Sequence, residues 1–313
     1  MHLLAALAAA TAAAALSVET THVSLASGQR IQWLSCEPPS PKTHLVCIHG
    51  TFHGAWCFAE KWLPRLAERH GIAAHSISLR GTAGSPCVEK SIKLSTHAAD
   101  VAEAINLQLA EKQLALCAHS FGGPVAIDAL ATDEDLADRC AGLALLCSVP
   151  PSGNKPGTAR VVRRSLREAW LITKAFALKT AARSSEDANA VFFNDQLDDE
   201  TAKRYTGYFA ADSSSGLDLG DYQRSLPRWP TEDGRWASMP LNLRCLVLGA
   251  DADRVVDREA VDETAKFLGV EPIMVEGPHD VMLSENEAET CDLVGGWLTT
   301  GTYSTLSPST RLD

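Results

Sequence analysis

The segment Cys117-Ala118-His119-Ser120-Phe121-Gly122-Gly123 constrains the fold of this chain more than any other. An apolar run over 113–117 leads into a serine with a glycine two places on, and an apolar helical pattern follows over 124–130. Strand, sharp turn and helix in that order put one hydroxyl at the tip of the turn. The turn lifts Ser120 out of the sheet and exposes its Oγ. The Phe121 N–H, at the helix N-terminus, then faces whatever Ser120 attacks. Small residues are needed on either side, because strand and helix come close together. The usual pattern is G-x-S-x-G; here Ala118 takes the place of the first glycine, so support must come from elsewhere in the chain.

A nucleophilic serine needs a base, an acid that orients the base, and donors for the oxyanion. On such an elbow the order along the chain is Ser, Asp/Glu, His. After Ser120 the chain has a single histidine, His279, in Gly277-Pro278-His279-Asp280 just beyond the apolar run 272–275. The run 243–249 reads as a buried strand, and Asp251, Asp253 and Asp257 follow it. Asp257 precedes a helical pattern and reads as an N-cap. Asp253 is preferred as the acid, because Val255-Val256 can pack and hold its loop; Asp251, at the strand end, is the alternative. The strand 142–149 ends in Ser148-Val149-Pro150 and offers no carboxylate. The second oxyanion donor is expected in the loop after the strand 44–50: the Thr51 N–H first, Phe52 second. His49, His53 and His119 read as structural.

These residues carry a resemblance. The chain is identified as a member of the α/β-hydrolase superfamily over nearly its whole length, to about Leu298. His49-Gly50-Thr51-Phe52-His53-Gly54-Ala55-Trp56 is similar to the HGxxHGxW segment of plant methyl esterases and hydroxynitrile lyases. Leu79-Arg80-Gly81-Thr82-Ala83-Gly84-Ser85 resembles the superfamily's D-x-R-G-x-G-x-S loop, with Leu79 where an aspartate is frequent. The loops around Asp253 and His279 look like those of bacterial lysophospholipase- or chloroperoxidase-type hydrolases. The resemblance implies fold and triad, not the substrate.

Periodicity places strands near 22–26, 31–36, 44–48, 73–78, 113–117, 142–147, 243–248 and 272–275, and helices near 55–69, 97–110, 121–131, 258–267 and 285–298. The expected fold is an α/β-hydrolase fold: a mostly parallel eight-stranded sheet with helices on both faces and a helical cap insertion. The core takes 19–150 and 240–299, and the cap takes 151–239. The cap shows helical patterns at 158–179, 187–193, 200–208 and 220–225, and no strand. Its aromatics are candidates to line a substrate pocket, Trp170 and Phe193 among them, with Phe52 from the core.

The expected activity is serine hydrolysis of a carboxylic ester with a hydrophobic moiety; lipid, methyl ester and pigment ester are all open. Lyase or perhydrolase chemistry with the same triad is one alternative, although hydroxynitrile lyases depend on a lysine near the active-site histidine and no lysine follows Lys266. A non-catalytic small-molecule binding protein of the same fold is the other. No cofactor or metal is implied. The formal net charge of −11 argues against nucleic acid and against anionic membrane surfaces. Residues 1–18 read as a secretory or organellar targeting segment or as a fraying alanine helix, too short for a stable membrane span. Oligomeric state and compartment stay open. The nine cysteines form no disulfide framework; Cys57 and Cys87 are candidate exposed thiols. The tail 300–313, rich in Ser and Thr, is expected to be disordered.

Overall fold

Buried apolar runs alternating with amphipathic segments set the architecture. The computed structural model describes residues 16–225 and 233–301, so most of the segment 1–18 for which targeting is one expectation, and the tail expected over 300–313 from residue 302 on, lie outside the described residues. Eight strands form one sheet: β1 (Glu19–Ser24), β2 (Arg30–Cys36), β3 (Thr43–Ile48), β4 (Ile72–Ile77), β5 (Leu114–His119), β6 (Cys140–Leu146), β7 (Arg244–Ala250) and β8 (Ile273–Val275). Their spatial order is β1-β2-β4-β3-β5-β6-β7-β8. β2 runs antiparallel to both of its neighbours, and all other pairs are parallel. β4 and β5 are buried along their full length, which explains why they read as mainly apolar runs rather than alternating ones, with His75, Ser76 and His119 buried among them.

Helices Leu94–Gln108, Gly122–Thr132 and Arg258–Leu268 cover one face of the sheet, and the segment 56–70 with Glu287–Thr300 covers the other. The chain steps from β3 out to β4, then returns past β3 to β5. Connections leaving the carboxyl ends of β3 and β5 therefore diverge, and a crevice opens between them. The Thr51 loop follows β3 and Ser120 follows β5 at that crevice.

Several sequence expectations change. The helix expected over 55–69 is broken into Trp56–Ala59, Trp62–Arg65 and a wide turn, Leu66–His70. Pro64 lacks an N–H and its ring would clash with the Glu60 carbonyl, so the break falls at 60–61. The pattern over 158–179 is two helices, Asn154–Arg164 and Leu166–Ala177. Ser165 separates them: its Oγ accepts the Glu168 N–H at 3.2 Å and caps the second helix. A short helix, Glu134–Arg139, had no expected counterpart. Cys57 is fully buried rather than an exposed thiol, and all nine cysteines are free.

Between β6 and β7 the described residues are mainly helical, but Gly216–Leu217 forms a parallel bridge with Ser91–Ile92. Two residues are too few to leave a strand pattern in the sequence. Trp236 stacks on Phe267 at 5.8 Å, so the chain has rejoined the core shortly before 240.

Candidate active site

The residue after β5 is Ser120, with φ of 53°, a left-handed backbone that a non-glycine residue adopts only when its surroundings enforce it. The surroundings do so here. Ser120 N–H donates to the Leu146 carbonyl (3.0 Å), and the Ser120 carbonyl accepts from Gly123 (3.1 Å) and Val149 (3.1 Å). Gly122 cannot carry a side chain: a Cβ would lie 2.5 Å from the Ile48 carbonyl oxygen of β3. Ala118, the departure from the usual motif, is fully buried, and its methyl is part of the core.

The structure brings together the three expected side chains from three separate strand ends. Ser120 Oγ lies 3.1 Å from His279 Nε2, and His279 Nδ1 lies 2.8 Å from Asp253 Oδ2. The other Asp253 oxygen accepts the Val255 (2.7 Å) and Val256 (2.9 Å) N–H groups. Asp253 and His279 side chains are each 1% exposed. Asp251 is exposed, and its carboxylate accepts the Gly277 N–H at 3.1 Å, bracing the histidine loop without bonding the ring. Burial pushes the His279 pKa down, but the charge and hydrogen bond of Asp253, with the charge of Asp280, outweigh it and hold the ring above its ordinary value. Cys147 sits beside Asp253; burial, then the Asp253 charge, push its thiol well up, so it stays protonated there.

A second layer of histidines braces this arrangement. His119 Nε2–H donates to the His279 carbonyl at 3.0 Å, and burial drives its pKa down to about 3. His49 Nδ1–H donates to the Gly50 carbonyl (2.7 Å) while its Nε2 accepts the Leu79 N–H (2.9 Å). His53 Nδ1–H donates to the Thr51 carbonyl (2.8 Å), and its Nε2 meets Asp280 Oδ2 at 2.8 Å. Burial raises the Asp280 pKa, but the charge and hydrogen bond of His53, then the charges of His119 and His279, hold it below its usual range. The His53–Asp280 pair thus ties the Thr51 loop to the histidine loop. Sequence reading missed this role for Asp280. The available signal was a carboxylate directly after His279 together with an unassigned histidine in the first loop.

Thr51, Phe52, Ser120 and Phe121 open onto a cavity of about 510 Å³. Its walls are largely apolar, from Val149, Val161, Ile172, Phe176, Leu217 and Val255. Phe52 therefore lies where expected, and its ring packs edge-on to Phe176 at 5.5 Å. Trp170 and Phe193 do not. Trp170 is 60% exposed on the outside of its helix, and Phe193 is buried against Tyr205 at 5.6 Å, outside the cavity wall. Ile172 and Phe176, on another side of the same helix, line the cavity instead. Helical phase relative to the core decides this, and it could not be read without the helix break at Ser165.

Two groups have the composition of metal ligands: His119, His279 and Asp280, and Cys147, Asp253 and His279. Both include His279, whose ring nitrogens already meet Ser120 and Asp253. An ion in either place would have to break that chain.

The parallel sheet, the strand-to-helix turn at Ser120 and a helical insertion above it define an α/β hydrolase architecture. The chain belongs to the alpha/beta hydrolase family, whose model matches residues 45–293. That membership supports hydrolase activity. No curated protein sequence matches this chain. Among solved structures it is similar to an esterase from Exiguobacterium antarcticum (17% identity, 90% of this chain and 99% of that one, TM-score 0.66). It is also similar to an enol-lactonase from Burkholderia xenovorans (14%, 89% and 100%, TM-score 0.63) and a bromoperoxidase from Bacillus anthracis (15%, 91% and 100%, TM-score 0.62). At such identities the likeness is one of fold.

Proposed function

We propose that this protein hydrolyses carboxylic esters with a hydrophobic moiety, using Ser120 as nucleophile, His279 as base and Asp253 as the orienting acid. The observation that carries this reading is the continuous chain Asp253–His279–Ser120 at the end of a largely apolar cavity. His279 Nδ1–H donates to Asp253, so its Nε2 lone pair faces the serine hydroxyl. As Oγ attacks the ester carbonyl, Nε2 takes its proton, and Asp253 stabilises the imidazolium that forms. The N–H groups of Thr51 and Phe121 hold the oxyanion. His279 then gives the proton to the leaving alcohol. Water, activated by the same ring, attacks the acyl-enzyme and releases the acid.

Cyanohydrin cleavage fits less well. Where the resemblance to hydroxynitrile lyases calls for a lysine near the histidine, this chain has the buried carboxylate of Asp280. Its negative charge disfavours a departing cyanide anion.

The test uses a chain-length panel of p-nitrophenyl esters, with a fluorophosphonate probe. The parent should turn over the esters and be labelled at Ser120; Ser120→Ala should lose both while unfolding at the parental temperature. Labelling that persists in Ser120→Ala would sink the assignment.

A further inference from the structure

Charge is distributed very unevenly along this chain. Its formal net charge is −11, yet residues 154–183 contain eight lysines and arginines and one acidic residue, Glu168. This stretch builds the helices Asn154–Arg164 and Leu166–Ala177, which pack on each other, and the turn at Thr180–Ala182. Part of the positive charge is neutralised internally: Arg160 pairs with Asp257, Arg164 with Glu168 and Lys174 with Asp187. Lys155, Arg163 and Arg167 are exposed and, among the described residues, have no carboxylate within ion-pair distance.

The same helices expose large apolar side chains: Leu166 is 76% exposed, Trp170 60% and Val162 44%. Leu166 and Trp170 are four apart, and Thr173 and Ala177 continue that face at helical spacing. Thr173 and Ala177 are exposed and also line the cavity that holds Ser120. The apolar stripe therefore runs along the cap to the cavity rim. An exposed apolar stripe flanked by cations marks an interaction surface. An exposed tryptophan and leucine among arginines suit the headgroup region of a membrane, where an amphipathic ring and positive charge are both favoured. A second copy of this chain would suit the stripe but would bring the same cations against themselves.

We propose that the outer face of these two cap helices docks the protein on an anionic lipid bilayer, with the cavity rim turned toward the surface. Leu166 and Trp170 enter the headgroup layer while Arg163 and Arg167 meet anionic headgroups. The contact is peripheral: among the described residues no helix is long and apolar enough to cross a membrane. The whole-chain charge argues for the opposite behaviour. However, charges are screened beyond about 8 Å at physiological salt, so the face that meets the bilayer decides.

The experiment is co-sedimentation of the full chain with vesicles of phosphatidylcholine alone and of phosphatidylcholine with phosphatidylserine. It needs no ester, so its outcome is independent of the proposed catalysis. The protein should sediment with the anionic vesicles and not the neutral ones, and added salt should release it. Each lysine or arginine at an anionic surface favours binding by about fivefold. Reversing two, in Arg163→Glu/Arg167→Glu, should therefore weaken partition by at least ~25-fold. Trp170→Ala should weaken it as well. Both variants should unfold at the parental temperature. No sedimentation with either vesicle, equal sedimentation with both, or variants that bind like the parent would each overturn the proposal. So would a dimer in analytical ultracentrifugation that Trp170→Ala dissociates, because the stripe would then belong to a second copy.

Discussion

Replacing Asp253 by Asn tests the proposed chemistry through a single atom. Asp253 uses one oxygen for the Val255 and Val256 N–H groups and the other for His279 Nδ1. An asparagine has one acceptor oxygen. Turning it to His279 would strand two backbone donors, at about 1–3 kcal/mol each if buried. The oxygen therefore stays with the backbone, and the amide NH₂ faces the ring. It donates to Nδ1, which must then be unprotonated, so the ring proton moves to Nε2. The nitrogen facing Ser120 loses the lone pair it needs. kcat should fall by about four orders of magnitude, or ~5.5 kcal/mol of transition-state stabilisation. Folding should be little affected, because both backbone bonds survive. Asp251→Asn keeps an oxygen that can accept the Gly277 N–H, removes only a charge at an exposed side chain, and should cost less than about tenfold. The assay is initial-rate hydrolysis of a short p-nitrophenyl ester by parent and both variants, with thermal unfolding alongside. A loss under tenfold in Asp253→Asn, or a larger loss in Asp251→Asn, would refute the reasoning.

Three further outcomes are expected. His279 is held above its ordinary 6.5, because the opposing effect of burial is outweighed by Asp253 and Asp280. The neutral ring is the base, so kcat/KM should rise with pH with a midpoint above 6.5, and Asp280→Asn should move that midpoint down. The same raised pKa stabilises the fold fully below 6.5, and this contribution is lost as pH rises through the folded value; a pH–rate limb at or below 6.5 would contradict the assignment. Phe176→Ala enlarges the cavity next to Phe52 and should shift preference toward bulkier esters without moving the pH limb, as a chain-length panel would show. Gly54→Ala would put a Cβ 2.8 Å from Asp212 Oδ2. Asp212 accepts Trp56 Nε1–H (2.7 Å) and the Ala83 N–H (2.8 Å), linking the cap to the core. Losing that link should cost about 1–3 kcal/mol and several degrees of Tm. Adding Gly54→Ala to Asp212→Ala should cost little more, and full additivity in thermal melts would disprove the clash.

The sequence by itself determined the sheet and the positions of Ser120, Asp253 and His279. Buried strands need mainly apolar runs, and an elbow needs small residues around its serine. Both demands act over a few neighbouring residues, so they leave local patterns. The choice between Asp251 and Asp253 was less legible, because two carboxylates two residues apart look alike until a fold directs one toward the ring and the other toward Gly277. Tertiary structure alone decided the rest. It paired His53 with Asp280 across 227 residues and turned Trp170 outward while Phe176 faced the cavity. It also gathered the cations of an acidic chain onto the cap helices. Those outcomes depend on the phase of a helix against a distant partner and on the company a side chain keeps, and a linear sequence contains neither until the chain has packed.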